Sequence, residues 1–341
     1  MSDTRKGQRA TLVLAKNKNV CYIGIMTDIL LTGVTLAEHT TYKIGGPARY
    51  FAEAQNELDI VRILEEYSVL NARNNKVFIL GGGANVLFSD SGYDGLVLKI
   101  SIANIDLIPH GVISVGAGAK LQDVVLFALE HGLTGLEWAA GIPGSFGGAI
   151  RGNAGAFGGE MKDCVIATRS VTIQNPKKII ERQLDDLGFG YRTSIFKLNA
   201  NDEIILSGEI QLARGELAEI KQKIEQNIKY RQERQPTDPS AGSTFKNIDI
   251  SNISAEQQKA WSSVIKTDPK PVMPVAFLIS EAGLKGKIIG GAQISNKHSN
   301  FFVNTGGATA KDIKELIAIT KKIIKEKFNI SVEEEIQIVS E

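Results

Sequence analysis

Apolar positions along the chain fall into short runs and moderate helical repeats separated by dense turns. Leu58, Val61, Leu64 and Tyr67 recur at helical spacing after Asn56, which can cap, with Asp59 at the third helical position; a helix over 56–70 is predicted. Val77–Leu80, Leu96–Ile100 and Val112–Val115 read as short strands, and Leu121–His131 as a helix closed by Gly132. Ala139–Glu160 has neither period. Strand patterns resume over Val165–Ile173 and Glu203–Leu212. Glu216–Gln235 reads as a long amphipathic helix with Leu217, Ile220, Ile224 and Ile228 on one face. Pro236 and Pro239 then break the chain, as between domains. Residues 248–274 have the polar, proline-containing look of an inserted loop. Pro274–Ala282 predicts a helix ended by Gly283, Asn300–Val303 a strand, and Thr309-x-x-Asp312 opens a last helix. In Glu333–Val339, Ile336 and Ile338 alternate with Glu335 and Gln337, which predicts both isoleucines facing inward. No internal repeat is visible. The pattern is α+β with mixed sheets rather than a regular βαβ series.

Composition changes this picture in one place. Of 34 glycines in 341 residues, 18 lie within residues 81–159, so a single stretch of backbone is unusually permissive. Lys and Arg number 39 against 38 Asp and Glu, a net charge of +1, which argues against a nucleic-acid binder working through a general basic field. Cys21 and Cys164 make no disulfide framework and no metal-ligand spacing, and they fit a reducing compartment. No apolar run is long enough to span a membrane. Val20 to Val34 is apolar, but Thr27 and Asp28 interrupt it and no small-residue cleavage site follows, so it is not read as a signal peptide. Residues 1–35 are expected to be a dispensable extension, with Met26 as an alternative start.

Gly81-Gly82-Gly83 directly after a strand invites a dinucleotide-binding reading. That reading fails, because the third glycine would fall at Val86 and Asp90-Ser91-Gly92 stops the helix that should follow. No Gly-Lys-Ser/Thr occurs either. What remains is either a tight turn or a nest of free N–H groups able to hold an anion, with Asn85 adding an amide. The run Gly141-Ile142-Pro143-Gly144-Ser145-Phe146-Gly147-Gly148-Ala149, followed by Asn153-Ala154-Gly155-Ala156-Phe157-Gly158-Gly159-Glu160, is too apolar for disorder and too glycine-rich for a regular element. Irregular buried backbone must satisfy its polar groups somewhere, and a large planar ligand with many acceptors, such as a flavin with its diphosphate, would do so. A lipase-type nucleophile elbow is absent, since Pro143 stands where the first glycine would precede Ser145.

Six motifs then occur in order: Thr41-Tyr42-Lys43-Ile44-Gly45-Gly46-Pro47-Ala48, Gly81 to Val86, the Ile142–Glu160 run, Gly190-Tyr191-Arg192-x-Ser194, Ala241-Gly242-Ser243-x-Phe245-Lys246-Asn247, and Ala282-Gly283-Leu284-Lys285-Gly286. Together they resemble the UDP-N-acetylenolpyruvoylglucosamine reductase family over roughly residues 30–341, in the sub-family without an inserted tyrosine loop. The resemblance implies an FAD-binding domain of the vanillyl-alcohol-oxidase type in two α+β lobes over 43–213, and a smaller α+β substrate domain over 214–341. It implies non-covalent FAD, NADPH as hydride donor, and reduction of UDP-N-acetylglucosamine enolpyruvate in peptidoglycan precursor synthesis. A cytoplasmic monomer without nucleic-acid, membrane or metal partners is expected. The cofactor contacts it implies are Tyr42, Lys43, Gly81, Gly82, Gly83, Ala84, Asn85, Val86, Gly141, Ile142, Pro143, Gly144, Ser145, Gly147, Gly148, Ala149, Asn153 and Gly155.

Reducing an enolpyruvyl ether by hydride pushes an electron pair toward a carboxylate that is already anionic. The site therefore needs a cation, a hydrogen-bond donor and a proton source. By resemblance Arg192 is the cation, Ser243 the proton donor and Glu335 the C-terminal acid. On residue type alone a surface ion pair, a Gly-Ser turn and a solvated acidic run read as well, and a register shift of one would put Glu334 in Glu335's place. Lys246, Asn247, Lys297, His298 and Asn300 are candidates for holding substrate, and Arg231 and Arg234 for reaching its phosphates. The chain departs from the family pattern at Arg151-Gly152, where a methionine usually precedes Asn-Ala-Gly, at Ile248 in place of a proline, and at Ser340 in place of a glycine. A flavin oxidase on the same fold would want a covalent flavin, for which no His or Cys sits in the glycine-rich loops. A non-catalytic nucleotide-binding module would purify without colour.

Overall fold

The computed structural model describes residues 11–17, 20–26, 29–70, 76–198, 202–267 and 271–340. Strands β1 (Thr11–Asn17) and β2 (Val20–Met26) pair antiparallel as a hairpin. The first lobe begins with β3 (Leu31–Thr35), which pairs antiparallel with β4 (Pro47–Ala54), Leu31 opposite Phe51. Leu30 and Leu36, on either side of β3, are buried. The 1–35 extension is therefore corrected at its end, because residues 30–36 contribute an edge strand and two core side chains.

Helix α1 (Glu57–Leu70) starts where expected: Asn56 Oδ1 accepts the Asp59 N–H at 3.0 Å. Its buried face is Ile60, Ile63, Leu64 and Tyr67, whereas Leu58 is 66% exposed. Two apolar stripes share this helix, and the sheet beneath chooses the one that starts at Ile60. Strand β5 (Val77–Leu80), the glycine turn, β6 (Val86–Phe88) and β7 (Tyr93–Ile100) follow. The sheet order is β3-β4-β7-β5, with β7 parallel to both β4 and β5.

The second lobe carries β8 (Ile105–Ile108), β9 (Val112–Gly116), α2 (Leu121–Glu130), the short β10 (Leu133–Thr134) and α3 (Phe146–Gly152). Helix α3 corrects the reading of 139–160 as non-periodic. Ser145 Oγ accepts the Gly148 N–H at 3.3 Å, Asn153 ends the helix in the left-handed region, and a Cβ on Gly147 would come within 2.7 Å of Ala117 Cβ. Close packing against β9 thus overrides the poor helix propensity of three glycines. Strands β11 (Gly155–Ala156) and β12 (Gly159–Glu160) form a tight hairpin, and β13 (Val165–Thr172), β14 (Ile180–Gln183), α4 (Ile195–Leu198) and β15 (Glu203–Gln211) complete an antiparallel sheet of order β14-β13-β15-β9-β8. One apolar cluster runs from α1 through β7 and α2 to β15, so the two lobes share a core.

After β16 (Ala213–Arg214), helix α5 (Leu217–Arg234) buries Ile220 and Ile224 in that same cluster, with Ile228 packed beside them, while Leu217 is 55% exposed. The helix thus belongs to the first unit, and the prolines at 236 and 239, rather than residue 214, separate the two cores. The C-terminal unit holds β17 (Ser240–Ser243), β18 (Ile248–Asp249), α6 (Ala255–Ala260), β19 (Val272–Met273), α7 (Val275–Glu281), β20 (Ile288–Ile289), β21 (Ala292–Ile294), β22 (Phe301–Asn304) and α8 (Ala310–Phe328). Its sheet order is β17-β22-β21-β20. The 248–274 segment, read as a loop, carries structure of its own: β18 pairs with β19, and Trp261 packs edge-on against Phe277 and Phe328. Thr309 and Asp312 form the expected capping box on α8, and Asp90 of the first lobe accepts the N–H groups of Ala310 (2.7 Å) and Lys311 (3.0 Å). Finally β23 (Gln337–Val339) returns to the first lobe and pairs parallel with β6. Among the described residues no helix is long and apolar enough to cross a membrane, and no cluster of His, Cys, Asp and Glu could hold a metal.

Candidate active site

Three backbone devices bring distant motifs together. The β23–β6 pairing sets Gln337 opposite Val86, and Asn85 reinforces it: its side-chain amide donates to the Glu335 carbonyl at 3.0 Å, and its own carbonyl accepts the Gln337 N–H at 2.9 Å. The Glu335 N–H in turn donates to the Thr244 carbonyl at 2.8 Å, and the Lys246 N–H to the Glu333 carbonyl at 2.9 Å. Residues 244–246 and 333–335 are thereby zipped together, with Ser243 at the end of β17. From the second lobe Arg192 closes the arrangement, its Nε 2.8 Å from Glu335 Oε1.

Arg192 is held hard. Its φ is 56°, a left-handed conformation that costs a bulky residue energy and that accumulates at functional sites. One terminal nitrogen donates to the Gly155 carbonyl at 2.7 Å and the other, more loosely, to the Asn153 carbonyl at 3.5 Å. Lys197 Nζ donates to the Arg192 carbonyl at 2.8 Å. Burial, with nearby Lys246 and Arg151, holds Lys197 below the ordinary lysine range. The Arg192 and Glu335 side chains keep 22% and 20% of their surface accessible, enough for a ligand to reach either.

The alternation over 333–339 breaks at a bend across Glu335–Ile336. Ile336 is buried but Ile338 is 37% exposed, so the two isoleucines do not share an inward face; Val339 takes the second buried place. The bend also settles the register. Glu334 pairs with Lys321 of α8 at 2.9 Å, leaving Glu335 for Arg192.

The two glycine-rich stretches meet. A Cβ on Gly81 would strike Ser145 Oγ, one on Gly82 would come within 2.6 Å of Gly144 Cα, and the Gly82 N–H donates to Ser145 Oγ at 3.3 Å. Beside this contact opens a cleft lined by Ile79, Gly81, Ile100, Ala117, Ser145, Gly147, Gly148, Arg151, Phe196, Glu203 and Ile205. Apolar walls, bare glycine backbone and one half-buried cation, Arg151, fit a planar ring system carrying phosphates. Glu203, Phe196 and Ile205 carry no sequence signal, since they reach the cleft only through the pairing of β15 and the seating of α4. Glu203 is committed to Arg182 and Ser170.

Several expected contacts are structural. Asn153 spends its amide on Glu160 (2.6 Å) and the Gly190 carbonyl (2.9 Å) and accepts the Lys162 N–H, so it supports Arg192 rather than facing the cleft. Asn300 uses both ends of its amide on the Phe245 backbone, Asn247 Oδ1 accepts the Val275 N–H, and Lys246 pairs with Glu333. Burial pushes the His298 imidazole below its ordinary range, and its Nδ1 accepts the Asn300 N–H. Tyr42 is fully buried against the C-terminal core; its hydroxyl lies beside that of Thr244 without a hydrogen bond of normal geometry. Lys43 is exposed with φ 56°. Gly141, Pro143, Gly82, Asn85 and Gly148 lie on the open side, while Gly83, Val86 and Ala149 are buried. Ala84 packs against Gly144 (Cβ on Gly144 would lie 3.3 Å away), and Ile142 is half-buried.

Gly82→Ala tests the cradle. The new methyl would meet the Gly144–Ser145 backbone at 2.6–2.8 Å, so the loops must part, at about 1–3 kcal/mol for overpacking. The purified variant is expected to carry much less flavin per protein by absorbance; full flavin content would show that the two loops do not form the cradle.

Comparison with known proteins bears on both units. Residues 235–339 match the family model described as UDP-N-acetylenolpyruvoylglucosamine reductase, C-terminal domain, and residues 48–175 match an FAD binding domain. The chain is 40% identical over 307 residues to the UDP-N-acetylenolpyruvoylglucosamine reductase of Caldanaerobacter subterraneus subsp. tengcongensis, covering 90% of this chain and 92% of the relative. It is 34% identical over 336 residues to that of Lachnoclostridium phytofermentans, covering 97% and 98%. The crystal structure of UDP-N-acetylenolpyruvylglucosamine reductase from Thermus caldophilus superposes with a TM-score of 0.70 at 29% identity, over 91% of this chain and 98% of that one.

Proposed function

Because the chain belongs to the UDP-N-acetylenolpyruvoylglucosamine reductase family, we propose that Arg192, Glu335 and Ser243 carry its reaction. The protein is an FAD-dependent oxidoreductase that reduces UDP-N-acetylglucosamine enolpyruvate to UDP-N-acetylmuramate with NADPH, a step of peptidoglycan precursor synthesis. Its FAD-binding domain is of the vanillyl-alcohol-oxidase type. The 81–86 and 141–149 loops would hold the FAD, which would supply the hydride when bound.

The observation that carries the assignment is the 2.8 Å contact between Arg192 Nε and Glu335 Oε1, made across 143 residues of sequence and beside the strand that ends in Ser243. The loosely held NH1 edge of Arg192 is the edge that a substrate carboxylate can take, and its cation offsets the charge that builds there as the hydride arrives. Glu335 adds a hydrogen bond to that carboxylate when it carries a proton. Ser243 gives its hydroxyl proton to the adjacent carbon. Asn153, Gly155 and Lys197 are positioning residues, since they hold Arg192 and touch nothing that reacts. We read the enzyme as a cytoplasmic monomer; the absence of a disulfide framework in its sequence, with only Cys21 and Cys164, supports the reducing compartment.

An anaerobic titration tests the whole. NADPH should bleach the yellow protein, and the enolpyruvyl nucleotide should restore the colour with one UDP-N-acetylmuramate formed per flavin. Bleaching without product would sink the assignment.

A further inference from the structure

Strand β17 lies at the edge of its sheet and ends in Ser243. It is kinked on the way: its pairing with β22 slips between Ser240 and Ser243, and Gly242 stands there at φ 75°. A bulge of this kind re-aims the side chains that follow and interrupts the ladder. The direction of Ser243 therefore depends on what holds the strand on either side of the kink. Carbonyls alternate along a strand. That of Pro239 accepts the Asn304 N–H of β22 at 2.9 Å, so that of Ser240 faces the free edge, and there the Thr41 hydroxyl donates to it at 2.7 Å. Tyr42, the next residue, is fully buried in the C-terminal core. Its carbonyl accepts the Asn304 side-chain amide at 3.1 Å, and its hydroxyl lies beside that of Thr244, the residue after Ser243. Thr41 and Tyr42 thus touch the strand on both sides of the kink.

On its other side the same segment meets the glycine turn of the first lobe. The Thr41 N–H donates to the Gly83 carbonyl at 3.1 Å, and the Thr41 hydroxyl stands 3.4 Å from that oxygen. Gly83, at φ 65°, permits this approach because a Cβ there would come within 2.0 Å of the His39 carbonyl oxygen. A single residue therefore stands between the loop read as the cofactor cradle and the strand of the proton donor. Its backbone serves the loop, and its one hydroxyl proton goes to the shorter contact, with Ser240. We propose that Thr41 is a positioning residue for the reduction, its hydroxyl fixing β17, and with it Ser243, relative to the 81–86 loop. The proposal rests on the reading of Ser243 as proton donor. Hydride and proton must reach adjacent carbons of one substrate, and they arrive from two different units of the protein. Their geometry holds only if those units are joined rigidly close to the reacting groups.

Valine has the shape of threonine, keeps the backbone bond to Gly83 and removes only the hydroxyl. The Thr41→Val holoenzyme should carry parental flavin, with the parental visible spectrum, and be reduced by NADPH at the parental rate. Single-turnover formation of UDP-N-acetylmuramate should slow about ten- to a hundredfold, as displacing a reacting group by up to about 1 Å does. The loss should fall on proton delivery, so the solvent deuterium isotope effect on that step should rise. Thr41→Ser keeps the hydroxyl and should restore both rate and isotope effect. Added to Ser243→Ala, Thr41→Val should cost nothing further, because it acts through the serine. A Thr41→Ser variant as slow as the valine one overturns the proposal by assigning the loss to shape. Loss of flavin with an unchanged rate per bound flavin overturns it by placing the hydroxyl in the cradle. Parental product formation by Thr41→Val beside a crippled Ser243→Ala removes Thr41 and leaves the serine. Parental turnover by Ser243→Ala alone overturns the serine reading and the proposal with it.

Discussion

Arg192→Lys protein is expected to take up flavin and bleach with NADPH at the parental rate, yet to lose about two to three orders of magnitude in the step that consumes the enolpyruvyl substrate, the usual cost of removing a preorganised donor from a developing anion. The backbone is not the cause, because lysine meets the same strain at φ 56° as arginine does. The side chain is. Its guanidinium reaches Glu335, the Gly155 carbonyl and the Asn153 carbonyl at once, and still presents a planar edge. A single ammonium on a flexible stem can hold one of these contacts, and its charge then sits wherever that contact puts it. Stopped-flow absorbance separates the two half-reactions. Parental reoxidation by substrate in Arg192→Lys would remove the guanidinium from the chemistry.

Ser243→Ala should divide the reaction at a different point. Nothing about the flavin cradle involves residue 243, so reduction by NADPH should be unchanged. Product formation should slow by about two to four orders of magnitude, the range that a lost general acid costs. Ser243→Cys keeps a proton to give and should recover part of the loss. Turnover of the alanine variant at the parental rate would exclude Ser243 as the proton source. Combined with Arg192→Lys, the losses should fall short of the product of the two, since both residues serve one transition state.

These tests separate residues whose roles were readable from residues whose surroundings were not. Helix caps were fully legible, because Asn56 with Asp59 and Thr309 with Asp312 act within four residues of each other. The buried face of α1 was not, since both of its apolar stripes satisfy the same period and only the sheet beneath selects one. Helix α3 was hidden because three glycines argue against a helix locally, while the close approach to Ala117 requires at least one of them. Asn153 stands in a glycine-rich run that invites a cofactor contact, and Asn300 is a candidate for holding substrate; the amides of both are spent on backbone that the sequence does not place nearby.

By itself the sequence determined the capped helices α1 and α8, the longer strands, the break after α5, the place of the two glycine-rich stretches and the three residue types a hydride reduction of an enolpyruvyl acid needs, because each rests on local period, on composition or on side-chain chemistry. Tertiary structure alone decided that Glu335 and not Glu334 meets Arg192, that α5 belongs to the flavin unit, and that Thr41 stands between Gly83 and Ser240. Each of those is a pairing across many tens of residues. It depends on where strands such as β23 return, and on a bend at Glu335 that breaks the alternation from which the register would otherwise be read.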